Sequence, residues 1–313
     1  MNFYRIYCFN VASELELPDA KEVFIKQAID NPDVSIILGS VKQDFLDSNQ
    51  LVKLSDIWSF EVIDPQLFYM HCYGFDFEIS GGNMIRVDTH GKDIAESSLI
   101  TYILGSAFGV IGIQHGLIPI HGTAVAVGNK AVIVTGHTGS GKSAILSSLV
   151  MQGYKYLADD VSMIAFEDGI PFAFPSYPQR KIDASTASGT GDSIEGIIPK
   201  VENGRDKYAI RRASEWMDTK LPLSTIIEIV QENRPDETGV APEIIEITGH
   251  ASLMLVLRNL YRPQFVAQIG TPPERMKRLL ELTSSVKAYQ MTRPVEGFPI
   301  NETANMIIER CFS

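Results

Sequence analysis

Eight consecutive residues, Gly136-His137-Thr138-Gly139-Ser140-Gly141-Lys142-Ser143, hold the densest chemistry in the chain, because they form a complete GxxxxGKS motif. Glycine lets backbone N–H groups turn toward one centre and come close to phosphate oxygens, and a helix starting near Lys142 would add the positive end of its dipole. Lys142 would then reach the outer phosphates of a nucleoside triphosphate, and the Ser143 hydroxyl would ligate Mg²⁺. A glycine-rich turn that only joined a strand to a helix would not need Lys-Ser at the helix start. The expected ligands are therefore ATP and Mg²⁺, with all eight residues forming the nucleotide cradle. The motif by itself does not say where the γ-phosphoryl group goes.

Further along, the approach Tyr154-Lys-Tyr-Leu-Ala ends in two adjacent carboxylates, Asp159 and Asp160, ahead of the apolar run that starts at Val161. Neighbouring side chains on an extended segment point opposite ways, so one acid would face a metal and the other an incoming hydroxyl. That division suits phosphoryl transfer to an alcohol, which needs a metal across the phosphates and an acceptor for the hydroxyl proton. Upstream, His121 closes the apolar run Leu117-Ile-Pro-Ile. If the next two strands form an antiparallel hairpin, His121 comes beside the loop end of the second strand. There it would contact Asp160 or a phosphate and tune the proton acceptor. Arg180 and Lys207 are two further basic candidates, expected to close over the γ-phosphate or a substrate carboxylate.

These groups need a strand, a loop and a helix in fixed order, and the pattern supplies them. Residues 118–127 and 131–134 read as strands joined by a turn at Gly128-Asn129, and the second runs directly into the glycine-rich loop. Residues 142–152 carry Ile145, Leu146, Leu149 and Val150 at helical spacing, with Gly153 as a C-cap. A strand over 161–166 follows the acidic pair, and another over 223–231 has a continuous apolar run that suggests burial on both faces. Residues 250–261, 271–282 and 301–311 read as amphipathic helices, with a strand over 286–291 between the last two. Residues 169–203 show little periodicity and carry Pro171, Pro175 and Pro178 and a Ser/Thr/Gly-rich stretch; loops of that length are usually functional. Upstream, short β-like runs over 3–9, 34–38, 58–63, 68–79 and 84–87 alternate with turn signals. The expected architecture is thus α/β, a mixed sheet with flanking helices over 93–313, plus a smaller β-rich domain over 1–92.

Composition narrows the partners. The 313 residues include 27 Lys and Arg against 38 Asp and Glu, a net charge of −11, so no global field favours nucleic acid or an anionic membrane surface. Any phosphate must be held by a local device, which the loop provides. Cys8, Cys72 and Cys311 are scattered and odd in number, which fits a reduced, cytoplasmic protein. Residues 97–129 contain no Asp, Glu, Lys or Arg, but Gly105, Gly109, Gly112, Gln114, His115 and Pro119 interrupt them. A buried helix followed by a central strand is expected there, not a membrane span. The oligomeric state is open, a homo-oligomer included.

Taken together, His121-Gly122, Gly136–Ser143, Gly153 and Leu157-Ala-Asp159-Asp160 resemble the kinase core of the HPr kinase/phosphorylase superfamily, over about residues 118–164. That resemblance implies an ATP-dependent serine kinase on a P-loop fold similar to the nucleotide domain of PEP carboxykinases. It also implies Asp160 as proton acceptor, Asp159 with Ser143 at the metal, Lys142 on the phosphates and His121 as support. The family's glycine- and isoleucine-rich signature with a metal-binding Glu has no counterpart in Pro175-Ser-Tyr-Pro-Gln-Arg180-Lys-Ile-Asp183. The pattern instead looks like the divergent kinases of lasso-peptide biosynthesis, a branch of ribosomal peptide modification, which phosphorylate the carboxy-terminal Ser of a precursor peptide. Two other readings stand beside it: a kinase of a free amino acid or small alcohol, and a non-catalytic module regulated by nucleotide.

Overall fold

A computed structural model describes residues 1–92, 99–195, 197, 200–202, 205–232, 242–294 and 299–312. The chain divides into two compact units, Met1–Leu117 with Arg262–Pro272, and Ile118–Tyr261 with Pro273–Ser313. The sequence reading starts its second domain at residue 93, but residues 93–98 lie outside the described residues. The division falls instead after Leu117.

The first unit is built on one eight-stranded sheet: β1 (Asn2–Ile6), β2 (Phe9–Ser13), β3 (Val34–Leu38), β4 (Val52–Ser55), β5 (Trp58–Asp64), β6 (Leu67–Cys72), β7 (Phe75–Ser80) and β8 (Met84–Asp88). Their spatial order is β1-β2-β3-β8-β7-β6-β5-β4. The apolar run over 68–79 is a hairpin and not one strand, because Tyr73 (φ 52°) and Gly74 (φ 79°) form the two-residue turn between β6 and β7. Positive φ at both central positions matches the twist of a hairpin. Helices α1 (Leu99–Tyr102) and α2 (Phe108–Gln114), joined by a π-helical turn over Ile103–Ala107, also belong to this unit. Their described residues are apolar almost all round, so they must be covered on every side. Phe108 meets the rings of Tyr7 and Phe9, and the Gly82 N–H donates to Gln114. This covering is why the boundary lies beyond them.

The second unit carries the motifs. Its strands are β9 (Ile118–Val127), β10 (Lys130–Gly136), β11 (Tyr156–Ala158), β12 (Val161–Glu167), β13 (Ile170–Ala173), β14 (Arg180–Ile182), β15 (Lys200–Glu202), β16 (Arg205–Ile210), β17 (Leu221–Glu232), β18 (Glu243–Ile247) and β19 (Lys287–Pro294). Its helices are α3 (Lys142–Met151), α4 (Ala184–Thr190) and α5 (His250–Arg258); after α6 (Pro263–Ile269), which belongs to the first unit, come α7 (Pro273–Ser285) and α8 (Ile300–Phe312). The sheet is mixed: β10, β17 and β19 run parallel, whereas β9, β12 and β18 pair antiparallel to their neighbours. Valines and isoleucines of β9, β10 and β17 pack with Ile145, Leu146, Leu149 and Val150 of α3 and Ala304, Ile307 and Ile308 of α8. Residues 169–203, expected as irregular, include β13, β14, α4 and β15 among their described parts. Short elements of this kind leave little periodicity; α4 is set by its N-cap Asp183, which accepts from the Thr186 N–H, and ends at Gly191 with φ 81°. Among the described residues, no helix is long and apolar enough to cross a membrane.

Candidate active site

The glycine-rich loop leaves the carboxyl end of β10 and enters α3 at Lys142, the strand–loop–helix order that the sequence predicts. Gly136 has φ 139°, and a Cβ there would lie 2.4 Å from the Ile229 carbonyl and 2.8 Å from Ser140 Oγ, so only glycine fits. The loop top, His137, Thr138 and Gly139, is exposed, and Ser140 is buried beneath it. Lys142 folds back, its Nζ donating to the carbonyls of Gly136 (2.7 Å) and His137 (3.0 Å). The Ser140 N–H donates to the His137 carbonyl, while the N–H groups of Gly141, Lys142 and Ser143 have no hydrogen-bond acceptor among the described residues. The loop therefore has its carbonyls engaged and its amides left over at a helix start, the arrangement an anion completes.

His121 and Asp160 are brought to this loop by the hairpin and its neighbour. Register pairs Thr135 with Gly122 and Val161 with His121, so the antiparallel hairpin expected from sequence is present. The His121 backbone is held on both sides: its N–H donates to Asn259 (2.9 Å) and its carbonyl accepts from Thr135 Oγ1 (2.7 Å). His121 Nε2 lies 3.5 Å from Asp160 Oδ1, and both side chains are partly exposed. Asp160 adopts φ 71°, and the Val161 N–H donates across it to the Asp159 carbonyl (2.9 Å), making a γ-turn. A non-glycine residue held there costs about 1–3 kcal/mol, and such strain gathers at functional sites.

Asp159 points elsewhere, as expected of adjacent acids, although a tight turn and not an extended strand separates them. Its Oδ2 accepts from the Lys181 N–H (2.8 Å) and its Oδ1 from the Asp160 N–H (3.0 Å). Burial pushes its carboxyl up to about 6, against the lowering effect of the Lys181 amide. Burial also pushes the Lys142 ammonium down to about 8; Asp160 and Asp159 act in the opposite direction, and Lys207 presses it down further. These four side chains thus share one electrostatic neighbourhood at the loop. Lys207 is itself 3.4 Å from Asp183 Oδ2.

Arg180 departs from expectation. It is fully buried, with hydrogen bonds to Asp192 (2.5 and 2.9 Å), Glu215 (3.0 Å) and Ser147 Oγ of α3 (2.9 Å). A guanidinium so surrounded braces α3 against β14 and does not close over a phosphate. Two residues that the sequence reading passes over touch the loop directly. Arg293 of β19 donates to the carbonyls of Ser140 (2.7 Å) and Gly139 (3.1 Å), and Gln231 of β17 donates to Gly139 (3.1 Å). The available signal was an arginine in a strand that is otherwise buried, a position where an unpaired charge is costly.

The donor set fits Mg²⁺ and a polyphosphate. Ser143 has a hydroxyl with no hydrogen bond among the described residues, and Asp159 and Asp160 offer hard oxygens. Among the described residues no three His, Cys, Asp or Glu side chains are gathered to hold a metal. The second unit is thus a mixed α/β domain with a glycine-rich loop at the carboxyl end of a parallel strand, where ligands of such sheets bind.

No family model matches the chain, and no curated protein matches it. Among solved structures it is similar to the Hpr(Ser) kinase/phosphatase from Coxiella burnetii, at 10% identity over 62% of this chain and 96% of that chain, with a TM-score of 0.32. A likeness at that score carries no functional weight, which falls on the loop and its side chains.

Proposed function

We propose that the protein is an ATP- and Mg²⁺-dependent kinase that transfers the γ-phosphoryl group to a serine hydroxyl of a peptide. The observation that carries this reading is the grouping at the loop: Asp160, strained and 3.5 Å from His121, acts on the same Lys142 whose neighbours include Asp159 and Lys207. The amides of Gly141, Lys142 and Ser143, with the Lys142 ammonium, would hold the phosphates; Ser143 and Asp159 would hold Mg²⁺, which supplies charge neutralisation. Asp160 would take the proton of the acceptor hydroxyl as its oxygen bonds to the γ-phosphorus. The bond from that phosphorus to the bridging oxygen breaks, and ADP leaves with the electron pair. His121 would orient Asp160 and steady its charge. Lys207 would meet the γ-phosphate or the acceptor's carboxylate.

The acceptor we favour, on the look of the His121–Asp160 core and of the Tyr177-Pro-Gln segment, is the carboxy-terminal Ser of a lasso-peptide precursor in the cytoplasm. The test is incubation with ATP, Mg²⁺ and a panel of Ser-ended peptides, read by mass. One added phosphoryl group is expected. No phosphorylation across the panel defeats the peptide-kinase reading. In the same assay Asp160→Asn should lower turnover about 10²- to 10⁴-fold while nucleotide still binds; unchanged turnover would remove Asp160 from the proton-acceptor role.

A further inference from the structure

The loop's shape depends on residues about 90 and 150 positions downstream. In a peptide unit the C=O of one residue and the N–H of the next point opposite ways, so gripping a carbonyl from one side aims the following amide to the other. Arg293 Nε takes the Ser140 carbonyl at 2.7 Å, and the amide of that same peptide unit belongs to Gly141, which has no acceptor among the described residues. Arg293 also takes the Gly139 carbonyl at 3.1 Å, and Gln231 Nε2 reaches the same oxygen at 3.1 Å. Gly141 itself has φ 111°, so nothing in its own conformational preference would hold this peptide in place. Arg293 is 5% exposed and its fork is rigid, which makes it a fixed abutment and not a mobile surface charge.

We propose that Arg293, assisted by Gln231, is a positioning residue of the phosphate loop: it holds the 140–141 peptide so that the Gly141 N–H faces the bound phosphate. This rests on the nucleotide-binding reading given above. Arg293 sits behind the loop and contributes through the amide, so removing it should weaken polyphosphate binding without touching acceptor recognition.

The test uses the full chain with Mg·ADP as probe, measuring affinity by calorimetry and the Gly141 amide by ¹⁵N-resolved NMR. The unaltered protein should show a large Gly141 shift on binding. Arg293→Ala should bind about 10- to 100-fold more weakly, with the Gly141 shift lost. Its KM for ATP should rise while its KM for the acceptor peptide stays put. Arg293→Lys, which keeps the charge but loses the planar fork that fixes both carbonyls at once, should fall between the two. Wild-type affinity and an intact Gly141 shift in Arg293→Ala overturn the proposal. If that variant does not fold, Arg293→Lys decides: weaker binding with a diminished shift supports the role, and wild-type behaviour overturns it. If the unaltered protein binds no nucleotide, both the functional reading and this proposal fall, an outcome distinct from failure of the variants alone.

Discussion

Arg180 and Lys142 are both desolvated cations of the second unit, only a few turns of chain apart in space through α3, yet their surroundings differ in kind. Arg180 has Asp192 and Glu215 on its donors and Ser147 completing the set, and these partners outweigh the burial that would otherwise lower its charge. Among the described residues the hydrogen bonds of Lys142 go to two backbone carbonyls, and burial outweighs the pull of Asp160 and Asp159, bringing it to about 8. A cation whose charge is already answered within the protein has a structural part to play. One hydrogen-bonded to neutral carbonyls beside unbonded amides is what the proposed phosphate site requires.

That contrast can be broken by removing a partner from each side. The largest effect should come from Asp192→Ala, which leaves Arg180 buried without its main counter-charge. A loss of about 3–5 kcal/mol in folding stability is expected by chemical denaturation, with nucleotide affinity of the folded fraction unchanged. A comparable loss of affinity without loss of stability would place Arg180 in the binding site after all. Next is Lys142→Met, which should weaken nucleotide binding about 10- to 100-fold by calorimetry, the worth of hydrogen bonds to a charged group. Its thermal stability should change little, because among the described residues the lysine makes no ion pair. The smallest effect is that of pH. Free Lys142 loses its proton near 8, and bound phosphate must raise that value, so binding takes up a proton above this point. Lys142 should contribute no slope well below pH 8, and affinity should bend downward through pH 8 and fall by up to about tenfold per unit above it. Lys142→Met should abolish that limb, and a profile that persists in the variant would assign it elsewhere.

The same contrast shows what a sequence can disclose. The strand–loop–helix setting of the glycine-rich loop was legible because it is local: its glycines and the flanking apolar runs are adjacent in sequence. His121 and Asp160 were legible one step further out, since hairpin register follows from two short strands and a turn. Arg180 was misjudged because charge pairing is tertiary; Asp192 and Glu215 lie 12 and 35 residues away, and no spacing rule joins them. Arg293 and Gln231 went unnoticed because parallel strands bring them to the loop across 153 and 92 residues. The unit boundary failed for a related reason: an all-round apolar helix says that it is buried, not against which sheet, and Phe265 of α6 returns from far downstream to pack on Phe60 and Phe68.

Lys142 resting on the Gly136 and His137 carbonyls has a kinetic meaning. The ammonium already serves two oxygens of the loop, so on the proposed function a phosphate would have to compete with them for its donors. Entry should then proceed by exchange, with the ammonium swinging from one set of oxygens to another of higher charge. One ammonium would thus serve in turn the oxygens of the loop and those of a phosphate.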